Sequence, residues 1–324
     1  MCLRIAWFIL ALIVLGPAQA RDGRGLRVGL LRFGTVSWEI DTLRHHGLDR
    51  NHGITVVPVE FASNEAAKVA LQARAVDMIV TDWPWVARQR SEGTEFSFVP
   101  YSRAVGALMV PPASNINSLS DLKGKRIGVA GGPLDKSWLL LRAYAQKELG
   151  VDFAGAVEPV FGAPPLLNEE LARGRIDAVL TYWHYAARLE ASGARAFLSV
   201  TDMIRRLGID SQVPMLGYAF REEWADREGT ALQGFIGASR DAKALLASSK
   251  DEWIRLAPLI GTHDPAVLSA LQAGFRVGTP DRWSEAERQA ASDLYAILVR
   301  IGGDDLVGSA MVLDVKTFWP SLSY

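Results

Sequence analysis

The chain is almost free of cysteine. Cys2 is the only cysteine in 324 residues, and it lies in an apolar N-terminal segment. A disulfide framework, a cysteine-ligated metal site and a catalytic thiol are therefore excluded for the rest of the chain. The fold has to be stabilised by a buried core, for which a hydrophobic content of 49% is sufficient.

An excess of charge of one sign is lacking as well. The 35 Lys and Arg against 36 Asp and Glu leave a formal net charge of −1, which gives no reason to expect nucleic acid or an anionic membrane surface as a partner. The five histidines show no metal-ligand spacing. Neither a Gly-x-Ser-x-Gly elbow nor a phosphate-binding glycine loop occurs. We expect no metal and no cofactor.

Long apolar runs are confined to the N-terminus. Arg4 precedes the apolar run 5–15, and Ala18-Gln19-Ala20 forms a small-x-small cleavage pattern. This layout predicts a secretory signal peptide over residues 1–20, cleaved after Ala20, with an uncleaved anchor as the alternative. No later run approaches the ~18 residues of a membrane span. We therefore expect a soluble, periplasmic and monomeric protein.

One segment occurs twice, 100 positions apart. Residues 76–88 read VDMIVTDWPWVAR, and residues 176–188 read IDAVLTYWHYAAR. Each copy is typical of a short buried strand that stops at Thr and continues as a helix through Trp, with Gly93 and Gly193 ending the two helices. A repeat of this length predicts two similar lobes.

The repeat extends beyond this segment. Arg27-Val28-Gly29 corresponds to Arg126-Ile127-Gly128, and Ser37-Trp38 corresponds to Ser137-Trp138 after a one-residue insertion. Strands over 27–31 and 53–59, with helices from an N-cap at Ser37 and over 65–75, give the alternation of a parallel sheet. Residues 220–300 have helical spacing instead, and we expect their tryptophans to pack in the core.

Two segments resemble a known family. Leu-Lys-Gly-Lys-Arg-Ile-Gly-Val at 122–129 and Gly-x-Ile-Asp-Ala-Val at 174–179 are similar to segments of the periplasmic substrate-binding proteins of ABC importers, in the sulfonate, taurine, nitrate and thiamine-pyrimidine-precursor group. The resemblance implies an α/β fold of type II. Its two lobes are mostly parallel sheets flanked by helices, joined by two crossing strands near 103–110 and 213–220. Lobe one would comprise 26–105 plus 218–324, and lobe two 106–217.

The same resemblance implies a small-molecule ligand held between the lobes, and a membrane permease with its ATPase as partners. In open parallel sheets, ligands bind beyond the carboxyl ends of the strands, where helix N-termini can hold an anion. The candidate ligand-binding residues are Phe33, Gly34, Thr35, Trp38, Ser63, Asn64, Asp82, Trp83, Arg103, Gly132, Asp135, Ser137, Trp138, Tyr182, Trp183, His184 and Met215.

Four of the candidates are tryptophans at the turns from strand to helix, and these tryptophans have two interpretations. Trp38, Trp83, Trp138 and Trp183 could sandwich a flat ligand from both lobes, since offset stacking adds about 0.5–1.5 kcal/mol to burial. Alternatively, each one wedges its helix against its sheet.

The polar candidates are equally open. Asp82 either caps its helix or accepts a hydrogen bond from a ligand N–H opposite Tyr182 or His184. Asp135 has the same two interpretations, with the cap favoured. Arg103 either neutralises a ligand anion or forms a surface salt bridge.

Three functions fit the sequence. The first is an exported receptor that closes two lobes on a small organic ligand. The second is an enzyme on the same scaffold, similar to pyrimidine-precursor synthases, for which Asp82 with His184 is the pair to nominate as acid and base. The third is a sensory ligand-binding domain presented to a membrane kinase.

Overall fold

The computed structural model describes residues 25–211 and 213–320. The predicted signal peptide, its cleavage point after Ala20 and the tail from residue 321 lie outside the described residues. Within the described ranges, no helix is long and apolar enough to cross a membrane.

Two runs of alternating strands and helices precede a helical C-terminal third. The first run consists of β1 (Leu26–Leu31), α1 (Val36–His45), α2 (Leu48–Asn51), β2 (Val56–Phe61), α3 (Asn64–Gln72), β3 (Met78–Asp82), α4 (Trp83–Ser91) and β4 (Phe96–Ser102). The second consists of β5 (Gly106–Val110), β6 (Arg126–Ala130), α5 (Lys136–Leu149), α6 (Phe153–Ala156), β7 (Glu158–Gly162), α7 (Pro164–Ala172), β8 (Ala178–Tyr182), α8 (Trp183–Ala191), β9 (Arg195–Ser199) and α9 (Val200–Arg206). The C-terminal part consists of β10 (Leu216–Arg221), α10 (Glu222–Arg227), α11 (Gly229–Ser248), α12 (Lys250–Ile260), α13 (Pro265–Gly278) and α14 (Glu285–Val307).

The strands form two five-stranded sheets of the same topology. Their orders are β2-β1-β3-β10-β4 and β7-β6-β8-β5-β9. Three neighbouring strands of each sheet are parallel, and the inserted strand, β10 or β5, is antiparallel to both of its neighbours. The predicted fold class, two mostly parallel sheets flanked by helices, is confirmed.

The chain passes between the sheets twice. After β4 it enters the second sheet as β5, and after α9 it returns to the first sheet as β10. At the first crossing Gly106 has a φ of 147°, and a Cβ there would lie 2.0 Å from the Thr181 carbonyl oxygen. Only glycine allows the two backbones this approach. The predicted lobe limits, 26–105 plus 218–324 and 106–217, stay a prediction.

The shared aspartate of the repeat explains why each lobe begins in the same way. Asp77 accepts a hydrogen bond from the Arg27 N–H at 2.8 Å, and its own N–H donates to the Arg27 carbonyl at 2.9 Å. Asp177 makes the same pair of contacts with Arg126, both at 2.8 Å. Each lobe thus fixes the start of its central parallel pair with one carboxylate.

Two local predictions were wrong. Ser37 is not the N-cap of α1, because Thr35 occupies that position and the Ser37 hydroxyl donates to the Gly34 carbonyl at 2.6 Å. The second strand covers Val56–Phe61 rather than 53–59, because residues 53–55 continue the turn that leaves α2. Ser63 caps α3, accepting the Ala66 N–H at 3.2 Å.

The C-terminal helices pack against both sheets and their flanking helices. The α14 residue Tyr295 contacts Trp83 of α4, and a Cβ on Gly302 of the same helix would lie 3.2 Å from Leu139 of α5. Of the tryptophans expected in the core, Trp253 and Trp283 are buried, while Trp224 is only half-buried and packs against the core of lobe one. The C-terminal helices therefore contact both lobes and connect them, in addition to the two chain crossings.

Candidate functional site

A cavity lies between the two sheets, at the carboxyl ends of their parallel strands. It encloses about 950 Å³ of empty space, part of which is open to solvent. Its wall is formed by Gly29, Leu31, Phe33, Gly34, Thr35, Val36, Asn64, Ala67, Val80, Thr81, Asp82, Tyr101, Ala104, Val105, Asp135, Lys136, Ser137, Tyr182, Trp183, His184 and Leu216. We refer to this space as the inter-lobe cavity.

The N-terminus of α1 contributes one side of the wall. Gly34, Thr35 and Val36 line the cavity. The N–H groups of Ser37 and Trp38 already donate to the Gly34 and Thr35 carbonyls at 3.3 and 3.2 Å, which leaves the N–H of Val36, the first residue of α1, for a ligand. The positive end of the helix dipole adds to its effect. This part of the wall can therefore hold an anionic group without a basic side chain.

A buried polar network supports this side. The Tyr101 hydroxyl lies 3.5 Å from that of Thr35, and the Lys243 ammonium lies 4.4 Å from the centre of the Tyr101 ring. Lys243 is paired at 2.5 Å with Glu39, which is fully buried and also accepts from Tyr218. Burial, and next the charge of Glu39, raise the pKa of the Tyr101 hydroxyl, so Tyr101 presents a neutral O–H to the cavity.

Two carboxylates lie in the wall, one from each lobe. Asp82 caps α4 by accepting the Trp85 N–H at 3.1 Å, and Asp135 caps α5 by accepting the Ser137 N–H at 2.9 Å. Both residues also line the inter-lobe cavity. The two interpretations left open by the sequence are therefore compatible, because one oxygen of each carboxylate is enough for the cap.

The pKa of Asp135 is raised from its ordinary value. Burial is the largest cause; the charge of Asp82 also raises it, while the charge of Lys136 and the Ser137 N–H oppose the shift. Asp82 and Asp135 thus come from different lobes and line the same cavity.

Tyr182 places a hydroxyl beside Asp135. Gly131 has a φ of 96°, and a Cβ there would lie 3.1 Å from the Asp135 Oδ2 and 3.2 Å from the Tyr182 hydroxyl oxygen. The two groups therefore border the same small space. Burial, and next the charge of Asp135, raise the pKa of Tyr182, so its hydroxyl remains protonated.

His184 connects the two lobes. Its Nε2 lies 3.2 Å from the carbonyl oxygen of Phe33, which precedes α1. Burial lowers the pKa of the imidazole to about 3, so the ring is neutral at neutral pH. Because a carbonyl oxygen can only accept, the hydrogen resides on Nε2. Nδ1 is left as an acceptor, and it has no partner in the described part of the chain.

Trp183 closes the cavity on the side of α13. A Cβ on Gly274 would lie 2.8 Å from its ring, so only glycine lets α13 come this close. The edge of Trp38 packs against the same ring, with centroids 6.1 Å apart. An aromatic cluster of both lobes is thus in contact at the border of the cavity.

The structure brings together ten of the predicted ligand-binding residues in the wall of the cavity. They are Phe33, Gly34, Thr35, Asn64, Asp82, Asp135, Ser137, Tyr182, Trp183 and His184. The other seven, which lie outside the wall, are Trp38, Ser63, Trp83, Arg103, Gly132, Trp138 and Met215.

Three of these seven are core side chains. Trp83 is fully buried and donates from Nε1 to the Pro214 carbonyl at 3.1 Å. Trp138 packs in the core of lobe two against the edge of Phe161. Met215 is likewise fully buried. In these positions each tryptophan wedges its helix against its sheet.

The remaining four have local roles. Trp38 packs on Trp183 and Trp253 behind the wall, and Ser63 caps α3. Gly132 accepts the Asp135 N–H at 2.9 Å. Arg103 forms a salt bridge with Asp281 at 2.7 Å and also donates to the Val277 carbonyl, so its guanidinium is already paired.

Sequence reasoning missed several wall residues. Lys136 and Thr81 lie in strand-to-helix turns that contain predicted ligand-binding residues. The same pattern could therefore have identified them. Tyr101, Ala104 and Val105 lie at the first crossing, where no residue pattern indicates which side chains reach the gap. The apolar lining, such as Leu31 and Leu216, is indistinguishable in the sequence from ordinary core.

No group of three His, Cys, Asp or Glu side chains in the described ranges could hold a metal ion.

The model of the family described as "NMT1/THI5 like" matches residues 24–252, well over half of the chain. The chain belongs to the NMT1/THI5-like family.

Relatives agree with this membership. A protein of Escherichia coli (strain K12) described as "Putative aliphatic sulfonates-binding protein" is 26% identical over 220 residues, which cover 66% of this chain and 65% of the relative. The match thus spans slightly less than two thirds of the relative's length.

Solved structures show the same fold. The crystal structure of the periplasmic aliphatic sulphonate binding protein SsuA from Escherichia coli matches with a TM-score of 0.73 at 20% identity, covering 91% of both chains. The desulfurization enzyme DszB matches with a TM-score of 0.61 at 14% identity, covering 90% of this chain and 95% of that one. The resemblance to a family of two-lobed binding proteins is confirmed. The fold by itself does not decide between a receptor and an enzyme, because a binding protein and an enzyme both share it.

Proposed function

We propose that this member of the NMT1/THI5-like family is the exported receptor of an ABC importer. It captures a small organic ligand in the inter-lobe cavity and delivers it to a membrane permease that works with an ATPase. The protein acts in the periplasm as a monomer, after removal of the signal peptide behind Ala20. The observation that carries the proposal is a cavity whose polar residues come from both lobes.

The mechanism is hinge closure. A ligand that touches both lobes binds the closed form more tightly than the open one, and this difference shifts the population toward closure. The described state has direct contacts across the gap, namely His184 with the Phe33 carbonyl and Trp183 with Gly274. The two crossings connect the lobes, and the helices α13 and α14 contact both of them. These connections restrict the motion to a rotation of one lobe against the other.

The similar proteins support a receptor. Both the relative from Escherichia coli (strain K12) and the SsuA structure are described as sulfonate-binding proteins. The N-terminus of α1 gives the inter-lobe cavity of this chain a place for an anionic group of that kind. A docked, ligand-closed receptor would present both lobes to the permease at once.

The enzyme alternative is not favoured by the geometry. The nominated pair, Asp82 and His184, forms no hydrogen bond with one another in the described residues; Asp82 caps α4, and the Nε2 of His184 is used by Phe33. A ring whose pKa is lowered by burial to about 3 is a poor general base at neutral pH.

Ligand-induced stabilisation and compaction test the receptor function. We expect at least one member of a panel of small sulfonates, carboxylates and nitrogen heterocycles to stabilise the purified protein by about 2.7 kcal/mol at a hundredfold excess over its Kd. The same compound should decrease the radius of gyration in small-angle scattering. Turnover of a panel member, without stabilisation by any of them, would overturn the proposal in favour of an enzyme.

A further inference from the structure

The wall of the inter-lobe cavity has more negative than positive side chains. Asp82 and Asp135 approach from opposite lobes, and Lys136 is the one Lys or Arg among the lining residues. Neither carboxylate forms an ion pair with a lysine or arginine in the described ranges. The lining therefore has two negative groups against one positive group.

The neutral His184 has a buried acceptor without a partner next to this wall. The side chain is 6% exposed, and its Nε2–H is engaged by the Phe33 carbonyl. Its Nδ1 lone pair has no partner among the described residues. A buried acceptor without a donor weakens the fold unless something supplies that donor.

Closure makes the arrangement costly without such an occupant. Bringing two carboxylates together across a gap that excludes water raises their mutual repulsion. A positive group between them converts this repulsion into attraction to both lobes at once. It would thereby bind the closed form selectively, which is the requirement for a ligand that drives closure.

We propose that the inter-lobe cavity selects a small organic molecule that carries a protonated nitrogen, an ammonium or an amidinium group, between Asp82 and Asp135. The inference rests on the proposed receptor function and specifies its ligand class. An anionic group at the other end of such a ligand would lie at the N-terminus of α1. The protonated nitrogen, and not the anionic group, decides which compounds bind.

Matched pairs of probes isolate the nitrogen. Propane-1-sulfonate is compared with 3-aminopropane-1-sulfonate, butyrate with 4-aminobutyrate, and benzamide with benzamidine, by calorimetric titration of the purified protein at pH 7. We expect the nitrogen-bearing member of at least one pair to bind tenfold or more tightly than its partner, because charge-assisted hydrogen bonds are the strong ones. Equal binding of both members, or tighter binding of the member without the nitrogen, overturns the inference and leaves the receptor function intact.

Variants separate the charge from the cap. Asp82→Asn and Asp135→Asn remove the charge but retain a good N-cap residue, so the fold should persist. Each is expected to weaken binding of the nitrogen-bearing probe by roughly tenfold or more, and to change binding of its partner less than threefold. Asp264→Asn, at the exposed N-cap of α13, is the matched control and should leave both affinities unchanged.

The outcomes distinguish the two proposals. Unchanged affinity in both pocket variants, with melting temperatures equal to that of Asp264→Asn, overturns the role of the carboxylates while the receptor stands. Binding of no probe from any pair counts against the receptor function, and the inference falls with it.

Discussion

The two copies of the repeated segment have the same backbone but different surroundings. In lobe one, the shared tryptophan, Trp83, is fully buried against Tyr295 of α14. In lobe two, its counterpart Trp183 lies at the border of the inter-lobe cavity against Gly274 of α13. The two copies thus share a strand, a turn and a helix, while their contacts with the C-terminal helices differ: one tryptophan is buried in the core and the other lines the inter-lobe cavity.

The largest effect should come from that tryptophan pair. Trp83→Ala leaves a cavity in the core and is expected to cost about 3–5 kcal/mol of unfolding free energy. Trp183→Ala, at a half-buried position, should cost about 1–2 kcal/mol and mainly weaken ligand binding. Urea unfolding of the two variants measures the difference. Equal losses would show that the two copies are equivalent in the core.

The position after each tryptophan gives the next test. Lobe one has Pro84, which does not titrate, and lobe two has His184, whose pKa burial lowers to about 3. Between pH 6.5 and pH 3 the unfolded chain binds a proton that the folded chain excludes, so stability is full above pH 6.5 and falls with pH. We expect a loss on the order of 3 kcal/mol over this window.

His184→Asn should reduce the loss of unfolding free energy between pH 7 and pH 4, as measured by urea unfolding at both pH values. His263→Asn, which changes an exposed histidine, is the control and should keep the slope of the unaltered protein. An unchanged slope in His184→Asn would mean that other groups cause the acid sensitivity.

The shared arginines provide a third comparison. Arg88 and Arg188 each donate to a backbone carbonyl of a C-terminal helix, Asp305 at 2.8 Å and Ile260 at 2.7 Å. The contact of Arg188 is partly buried, whereas that of Arg88 is exposed and shared with Glu92. Arg188→Ala is therefore expected to cost about 1–3 kcal/mol and Arg88→Ala about 0–1 kcal/mol. Thermal unfolding would contradict this if Arg88→Ala were the more damaging change.

The smallest difference concerns the shared aspartates. Asp77 accepts from the Arg27 N–H and also from its guanidinium, at 2.6 and 3.1 Å, whereas Asp177 accepts the Arg126 N–H without a comparable guanidinium contact. Asp77→Asn should exceed Asp177→Asn in cost by roughly 0.5–1 kcal/mol at low salt. Raising the salt concentration should reduce this gap, and a gap that is independent of salt would argue against the ion pair.

The sequence was informative where chemistry and spacing are local. The repeat predicted two similar α/β lobes, and the strand-to-helix turns predicted ten wall residues, because parallel strands bring their carboxyl ends together. It could not tell that Trp83 faces α14 while Trp183 faces α13, since that depends on helices more than 80 residues further along the chain. Tyr101 was missed for the same reason, as its place at the gap follows from the chain crossing.

Because Trp183 packs against Gly274 across the two lobes, its fluorescence should depend on how the lobes are arranged. In the proposed hinge opening, the indole of Trp183 would separate from α13 and meet water, so its emission should move to longer wavelength. Trp83, Trp138 and Trp253 are buried in their cores, and we expect them to stay buried when the lobes separate. Titrations of the unlabelled protein can therefore be followed by intrinsic fluorescence, with Trp183 as the ring that reports the motion.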